Sequence, residues 1–349
     1  MINQRLFDWY GIDTNKDLQI KTYCARPYDT VLIDKTGGCF LCECTSWLPQ
    51  SVGNLYKQSL ESILESALAS ELRSSIADGS YRYCNNKQCS YLLNKSTKLW
   101  PNTIPINQIK NIRLAIDDSC NLRCPSCRKE MLFIKDGKKF NRRIKLADDI
   151  NNWLHSVKHS VKVHIGSDGD PFASYVYRHF MMHTPVRENI KYSLLTNGLM
   201  FKEFSPRIPH IIENLTELGI SIDGASKETY EKLRLGGSWE KIRSNLEFIA
   251  ELKKKHNFIF RLHFVVQKDN YHEMEDIISL GKKYKADRIW LNKLENWNVI
   301  KNFQNVDIFD STHPLYIDYQ KKLKKIQIYL GVTKTSPIVE TPTLNIEQK

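Results

Sequence analysis

The chain has 349 residues, of which 41% are apolar and 26% charged, with 15 Gly and 12 Pro. This composition excludes the disordered and fibrous classes, and the length favours about two domains. The formal net charge of +12 favours acidic partners or substrates. The sequence has no run of about 18 uncharged apolar residues, and its N-terminus lacks a basic segment followed by an apolar one. We therefore expect a cytoplasmic protein with no membrane span.

The N-terminal region predicts a small, cysteine-rich module. Short strands are expected at about 29–33 and 38–42, followed by a helix from about Ser59 to Asp78 that Gly79 is placed to end. Six of the nine cysteines lie in this region, at positions 24, 39, 42, 44, 84 and 89. Because so small a module cannot bury a large apolar core, these cysteines favour stabilisation by bound metal.

From residue 111 onward, β-branched runs alternate with stretches of helical periodicity, which is the pattern of βαβ units and a parallel sheet. One helix is expected behind Ser238, which is placed to act as its N-cap. The six strands are expected at 111–117, 161–167, 190–196, 218–223, 258–267 and 288–294. The predicted class is α/β, a partial (β/α)6 barrel over 106–300. The small module occupies 1–105, and a C-terminal helix and flexible tail occupy 301–349.

Three further cysteines follow the first of these strands. Cys120, Cys124 and Cys127 are separated by three and two residues. Active sites of α/β barrels gather at the carboxyl ends of the strands. Three thiolates in one tight loop, with no fourth Cys or His close by, suit an iron–sulfur cube with one iron free of protein ligand. Structural zinc, the alternative, takes four protein ligands.

The segment CNLRCPSC after a short strand resembles the signature of radical S-adenosylmethionine (SAM) enzymes. The resemblance implies that Cys120, Cys124 and Cys127 hold a catalytic [4Fe–4S] cluster whose open iron binds SAM. It implies that SAM is cleaved reductively to methionine and a 5′-deoxyadenosyl radical, which abstracts hydrogen from a substrate. A small electron donor such as flavodoxin or ferredoxin is implied as a partner.

The likeness covers about residues 111–300. VHIGSDGDPFAS is similar to the Gly-Gly-Glu-Pro segment that contacts the methionine amino group, with three residues at matching positions: Gly169, Asp170 and Pro171. LLTNGLM, ISIDGASKETYEKLR and FVVQKDN resemble the segments that approach the ribose and carboxylate of SAM. Their candidate contact residues are Ser221, Asp223 and Gln267. A turn or cap role is the alternative for each polar residue at a strand end.

The N-terminal cysteines resemble a second iron–sulfur module. Cys24, Gly37 and Cys42 are separated by 12 and four residues, as at the opening of the SPASM or twitch extension. Such modules usually follow the barrel, and here the module precedes it. The resemblance implies a fully ligated auxiliary cluster held by Cys24, Cys42, Cys84 and Cys89, with Cys44 or Cys39 as the alternative to Cys42. A zinc module is the other interpretation, because spacing alone does not separate zinc from iron.

Residues 128–145 carry eight basic side chains against two acidic ones. One interpretation is a solvated surface helix and loop, and the other is an anion-attracting wall beside the active site. Together these features predict a radical SAM oxidoreductase or maturase that acts on a peptide or on an anionic sugar or nucleotide. The alternative from another class is a non-catalytic zinc protein that binds nucleic acid through its basic face.

Overall fold

A computed structural model describes residues 1–93, 108–296, 299–332 and 338–340. The chain divides into two compact units. The first contains Met1–Asp118, Ile134–Gly169 and Tyr175–Tyr192, and the second contains Ser119–Phe133, Asp170–Ser174 and Ser193–Lys349. Within the described ranges, no helix has the length and apolar character needed to cross a membrane.

The sheet of the first unit includes strands from both predicted regions of the sequence. Its strands are β1 Thr30–Asp34, β2 Gly38–Phe40, β3 Ser51–Asn54, β4 Asn111–Ala115 and β5 Val161–Ile165. They lie in the order β5-β4-β1-β2-β3. β1 pairs in parallel with β4, and β4 pairs in parallel with β5. β2 and β3 extend the sheet in antiparallel pairs. The cysteine-rich region is therefore hydrogen-bonded directly to the first predicted strand of the barrel.

The helices of the first unit include two where the sequence predicts one between residues 59 and 78. Ser66 divides this segment because its side chain accepts a hydrogen bond from the backbone N of Ala69 at 3.1 Å and so begins a new helix. Gly79 follows the second helix with a φ of +79°, as predicted for a helix stop. The helices are α1 Gln4–Trp9, α2 Arg26–Asp29, α3 Leu60–Leu64, α4 Ala67–Ala77, α5 Ser90–Leu93, α6 Gly137–Ser156 and α7 Tyr175–His183.

The first unit has an apolar core under α6 and a smaller one in the cysteine-rich region. Leu146, Ile150 and Leu154 of α6 are at most 2% exposed, as their helical spacing predicts. In the cysteine-rich region, Tyr28, Ile76 and Tyr81 form a buried cluster against which Cys24 and Cys84 pack. This small core holds the beginning and the end of the cysteine-rich region together.

β6, Ile190–Thr196, begins in the first unit and ends in the second. In the second unit, parallel pairs join β7 Leu215–Ser221, β8 Ile259–Val266, β9 Arg288–Lys293 and β10 Ile338–Glu340 in that order. Ile220, Leu262 and Ile289 are fully buried on one face of these strands. β10 forms from the first residues of the segment expected to be a tail, and 341–349 lie outside the described residues.

The second unit completes the alternation of strands and helices. Ser238 caps its helix as predicted, since its side chain accepts a hydrogen bond from the backbone N of Lys241 at 3.2 Å. The helices are α8 Phe201–Phe204, α9 Pro209–Glu213, α10 Lys227–Leu233, α11 Trp239–Lys253, α12 Met274–Lys283 and α13 Tyr316–Val332. The mixed α/β architecture with a parallel sheet and a small N-terminal cysteine-rich module confirms the predicted fold class.

Candidate functional site

The three cysteines after β4 lie on one loop of the second unit, which we call the cysteine loop (residues 119–133). Its ends are closed by backbone hydrogen bonds between Cys120 and Leu132, at 2.8 and 3.3 Å. Within it, the backbone N atoms of Cys127 and Arg128 both donate to the carbonyl of Cys124. The Cys120 and Cys124 side chains are buried, whereas Cys127 is exposed. The loop thus presents three thiols on a closed and hydrogen-bonded backbone.

An amide side chain holds the first of these thiols. Asn197, directly after β6, lies with Nδ2 3.8 Å from the Sγ of Cys120 and donates to Oδ1 of Asn121 at 2.8 Å. The backbone N of Asn197 in turn donates to the carboxylate of Asp170 at 2.8 Å, as does the Thr196 hydroxyl at 2.7 Å. Burial raises the pKa of the Cys120 thiol to about 11, so binding of metal must displace a proton from it.

A guanidinium group holds the second thiol. Arg234, which follows α10, donates from Nη1 to the Sγ of Cys124 at 3.8 Å. Its Nη2 forms an ion pair with Asp223 at 2.7 Å, and both side chains are nearly buried. Burial also raises the pKa of the Cys124 thiol, although Arg234 acts in the opposite direction. The cysteine loop therefore has a fixed positive charge at one of its sulfur atoms.

Four cysteines of the first unit line a single cavity: Cys24, Cys42, Cys84 and Cys89. They lie before α2, after β2 and between α4 and α5. Burial raises the pKa of the Cys24 thiol to about 11 and raises the pKa of the other three thiols as well. A cavity lined by four buried thiols can hold a metal centre with a complete set of protein ligands.

The other two cysteines of this region do not line that cavity. Cys39 is buried on β2, where its Sγ lies 3.8 Å from the Gly37 carbonyl. Cys44 is half-buried, with its Sγ 3.0 Å from the Ser46 hydroxyl. Of the three candidates for the second position of the ligand set, Cys42 is the one whose side chain reaches the cavity.

Two family models match the chain in the regions that hold these cysteines. Residues 116–281 match the Radical SAM superfamily, and residues 24–90 match SPASM, an iron–sulfur cluster-binding domain. The chain contains a radical SAM domain. Its SPASM domain precedes the radical SAM domain along the chain.

Curated relatives match the radical SAM protein at low identity. A probable GTP 3′,8-cyclase of Methanococcus maripaludis is 25% identical over 146 residues, which cover 42% of this chain and 47% of the relative. The GTP 3′,8-cyclase of Limosilactobacillus fermentum is 25% identical over 218 residues, 60% of this chain and 63% of the relative. The chain spans about half the length of the methanococcal relatives.

Two solved structures that resemble the chain in part contain bound S-adenosylmethionine. Streptococcus suis SuiB bound to S-adenosylmethionine has a TM-score of 0.47 and 14% identity, over 78% of this chain and 55% of SuiB. Native anSMEcpe with bound S-adenosylmethionine has a TM-score of 0.44 and 16% identity, over 66% of this chain and 63% of that protein.

A radical SAM domain implies a [4Fe–4S] cluster with SAM, and a SPASM domain supports an auxiliary cluster. The three thiols of the cysteine loop fit the [4Fe–4S] cluster that binds SAM, because they leave one iron of a cube open. In the part of the chain that the structure describes, no three Cys, His, Asp or Glu side chains converge on a position for one metal ion.

The residues expected to contact SAM lie at or after strand ends. Gly169 has a φ of +67°, and Pro171 is buried next to Asp170. Ser221 is the half-buried last residue of β7, and Gln267 is 5% exposed directly after β8. Their contacts with SAM remain predictions.

The two carboxylates in this set already have partners within the protein. In addition to Thr196 and Asn197, the carboxylate of Asp170 accepts from the backbone N atoms of Phe172 and Ala173, both at 3.0 Å. The second carboxylate, that of Asp223, accepts from the backbone N of Val265 as well as from Arg234. The turn role expected for such residues as the alternative is therefore present for both.

The interpretation of residues 128–145 as a solvated surface helix and loop is wrong for one residue. Arg143 on α6 is 3% exposed because its guanidinium pairs with Asp117 and Asp118. Hydrogen bonds from Lys35 and Arg143 overcome the opposing effect of burial and lower the pKa of Asp118 to about 2. Arg143 is a structural cation of the first unit, whereas six of the eight basic side chains, Lys138 and Lys139 among them, are exposed to water.

Sequence reasoning missed the two side chains that touch the cysteine sulfurs. Asn197 and Arg234 both lie in segments that resemble the family, LLTNGLM and ISIDGASKETYEKLR, but neither was a candidate residue. No local signal in the sequence singles out Arg234, because burial of its guanidinium against Asp223 depends on tertiary packing.

Proposed function

We propose that this protein is a radical SAM enzyme in which Cys120, Cys124 and Cys127 hold the catalytic cluster. The observation that carries the proposal is the closed cysteine loop after β4, with two of its three thiols buried and each contacted by a polar side chain. When bound, the cluster and SAM supply a 5′-deoxyadenosyl radical that abstracts hydrogen from substrate. The chain would orient SAM through Gly169, Asp170, Pro171, Ser221 and Gln267.

For the auxiliary site, the proposed ligands are Cys24, Cys42, Cys84 and Cys89. The proposal is supported by the common cavity that these four thiols line. A fully ligated cluster has no open iron for SAM, so its role would be electron relay or substrate binding. An external one-electron donor such as flavodoxin or ferredoxin completes the proposed system.

The proposed substrate is an anionic nucleotide, sugar or peptide. The net charge of +12 supports an anionic molecule. The curated relatives are named GTP 3′,8-cyclases, which makes GTP the first compound to test. A substrate is identified when it increases SAM consumption and is itself altered. If GTP remains chemically unaltered, whether or not it binds, the cyclase activity is rejected for this chain.

Iron content tests the two clusters. Anaerobic reconstitution should give a brown protein with about eight iron per chain, and changing Cys120, Cys124 and Cys127 together to Ala should leave about four. Cys39→Ala is the matched control, because this buried thiol does not line the cavity, and it should retain all the iron. A colourless protein that holds zinc would support the non-catalytic alternative instead.

Product analysis tests the reaction. Reduced protein should convert SAM slowly to 5′-deoxyadenosine and methionine without added substrate, and the triple cysteine variant should not. Equal amounts of 5′-deoxyadenosine from the two proteins would reject Cys120, Cys124 and Cys127 as the catalytic ligands.

A further inference from the structure

The turn after α10 supports the cysteine loop at three points, all within the second unit. The Arg234 side chain reaches the Sγ of Cys124, and the Leu235 carbonyl accepts from the backbone N of Arg123 at 3.0 Å. Gly236 lies so close that an added Cβ would be 2.3 Å from the methyl carbon of Met131. The turn is therefore packed against the loop, and its closest approach is to the flexible end of the exposed Met131 side chain.

Arg234 is itself held from behind by Asp223. One carboxylate oxygen of Asp223 pairs with Nη2 of Arg234 at 2.7 Å, and the other accepts from the backbone N of Val265 at 2.7 Å. Asp223 has a φ of +53°, a backbone conformation that few residues other than glycine adopt. The Asn270 side chain donates to the Asp223 carbonyl at 3.0 Å and to the Val265 carbonyl at 2.9 Å. The guanidinium is therefore fixed in position by a pinned carboxylate.

A fixed, buried cation beside a thiolate has a predictable effect on a redox centre. Reduction adds one negative charge to a cluster, and the nearby positive charge stabilises the more negative state. The side chains of Arg234 and Asp223 are 12% and 5% exposed, so water screens this interaction weakly. Hydrogen bonds to the cysteine sulfurs are a recognised influence on the potential of iron–sulfur clusters.

We propose that Arg234, oriented by Asp223, is a positioning residue of the catalytic cluster that fixes the sulfur of Cys124 and favours the reduced cluster. This inference rests on the proposed ligation by Cys120, Cys124 and Cys127. The inference gives Asp223 the role of orienting Arg234. This role replaces the contact with SAM that the family resemblance implies.

The test is a redox titration of the reconstituted protein without SAM, followed by electron paramagnetic resonance. The variants are Arg234→Gln and Arg234→Lys, with Arg261→Gln as matched control. Arg261, on β8, is also a nearly buried arginine of the second unit with a carboxylate partner, Glu217 at 3.0 Å. The triple cysteine variant identifies the signal of the auxiliary cluster.

The Arg234→Gln cluster should be harder to reduce than that of the wild type. At the midpoint potential of the wild type, its ratio of reduced to oxidised cluster should fall at least about tenfold, which is 59 mV for a one-electron couple. Two isolated unit charges 4 Å apart would interact by more than this at an effective dielectric constant of about 20, and the smaller value allows for the opposite charge of Asp223 beside Arg234. Arg234→Lys, which keeps the charge, should show a smaller shift, and Arg261→Gln should show none.

Three results overturn parts of this reasoning in distinguishable ways. If Arg234→Gln keeps its iron and the potential of the wild type, the positioning role is wrong. If Arg234→Gln loses the catalytic iron, Arg234→Lys decides. Iron retained in Arg234→Lys supports the role of the charge. Equal loss of iron in Arg234→Lys and Arg261→Gln means a general folding defect and rejects the positioning role. If the triple cysteine variant keeps all its iron, the proposed ligation fails, and the inference fails with it.

Discussion

Replacing Arg143 by methionine should destabilise the protein far more than replacing its neighbour Arg142. Arg143 is 3% exposed and pairs with both Asp117 and Asp118, and Asp117 is completely buried. The methionine side chain fills much of the same volume but removes the cation from this carboxylate. A carboxylate that is kept out of water without its cation is costly.

The magnitude follows from the surroundings of the two carboxylates. Removing one partner of a buried ion pair costs about 3–5 kcal/mol. Asp118 is 19% exposed and keeps Lys35 at 2.7 Å, so most of the loss comes from Asp117. We therefore expect Arg143→Met to cost about 3 kcal/mol, near the lower end of this range. The exposed Arg142 lies over the ring of Tyr56 at 4.2 Å, and its replacement by methionine should cost about 0.5–1 kcal/mol.

Equilibrium unfolding in urea, followed by tryptophan fluorescence, measures both variants. Adding Asp117→Asn to Arg143→Met should recover part of the lost stability, because the added change removes the buried charge that has lost its cation. The reasoning is refuted if Arg143→Met and Arg142→Met shift the midpoint equally. It is also refuted if the second substitution destabilises Arg143→Met further.

Three other changes test separate features. Gly224→Ala should cost about 1–3 kcal/mol, because its Cβ would lie 2.5 Å from the backbone N of Tyr230. An unchanged midpoint of unfolding in urea would contradict this close packing. Burial lowers the pKa of His263 to about 3 in the folded protein. Because the same imidazole is protonated near pH 6.5 in the unfolded chain, the free energy of unfolding should fall as the pH decreases below 6.5, by about 2 kcal/mol at pH 5. His263→Gln should flatten this fall, and an unchanged slope of unfolding free energy against pH would contradict the assignment. Cys42→Ser should lose about four iron per chain by colorimetric assay while Cys44→Ser keeps them, and the opposite result would make Cys44 the ligand.

The strands of the parallel sheet were predictable because their signal is local. β6 has the predicted bounds, and β4, β5, β8 and β9 differ from prediction only by one or two residues at their ends. Each is an apolar run followed by a polar turn, so the sequence specifies it without reference to distant residues. β3 was missed because Ser51–Asn54 lacks such a run, and Gly53 makes its backbone pack closely against Ile63.

The cysteines of the site were predictable, but the groups around them were not. Spacing singles out Cys120, Cys124 and Cys127, because the three lie within eight residues of one another and can share one short loop. No spacing rule connects Arg234 to Cys124, which is 110 residues away. Likewise, nothing in the basic stretch separates Arg143 from Arg142, because burial of Arg143 depends on Asp117 and Asp118 meeting that face of α6. Contacts of this kind depend on tertiary packing and not on local sequence.

The parallel pairing of β1 with β4 limits how the protein can be shortened. A chain that begins at residue 108 would lack β1, and the edge of β4 would then expose its backbone N–H and C=O groups from Asn111 to Ala115. β4 carries the fully buried side chains of Ile112 and Leu114, so the exposed edge would be apolar as well as unpaired. Such an edge is a template for aggregation. The cysteine-rich region is thus a structural component of the first unit, and expression of the radical SAM portion alone should yield insoluble protein.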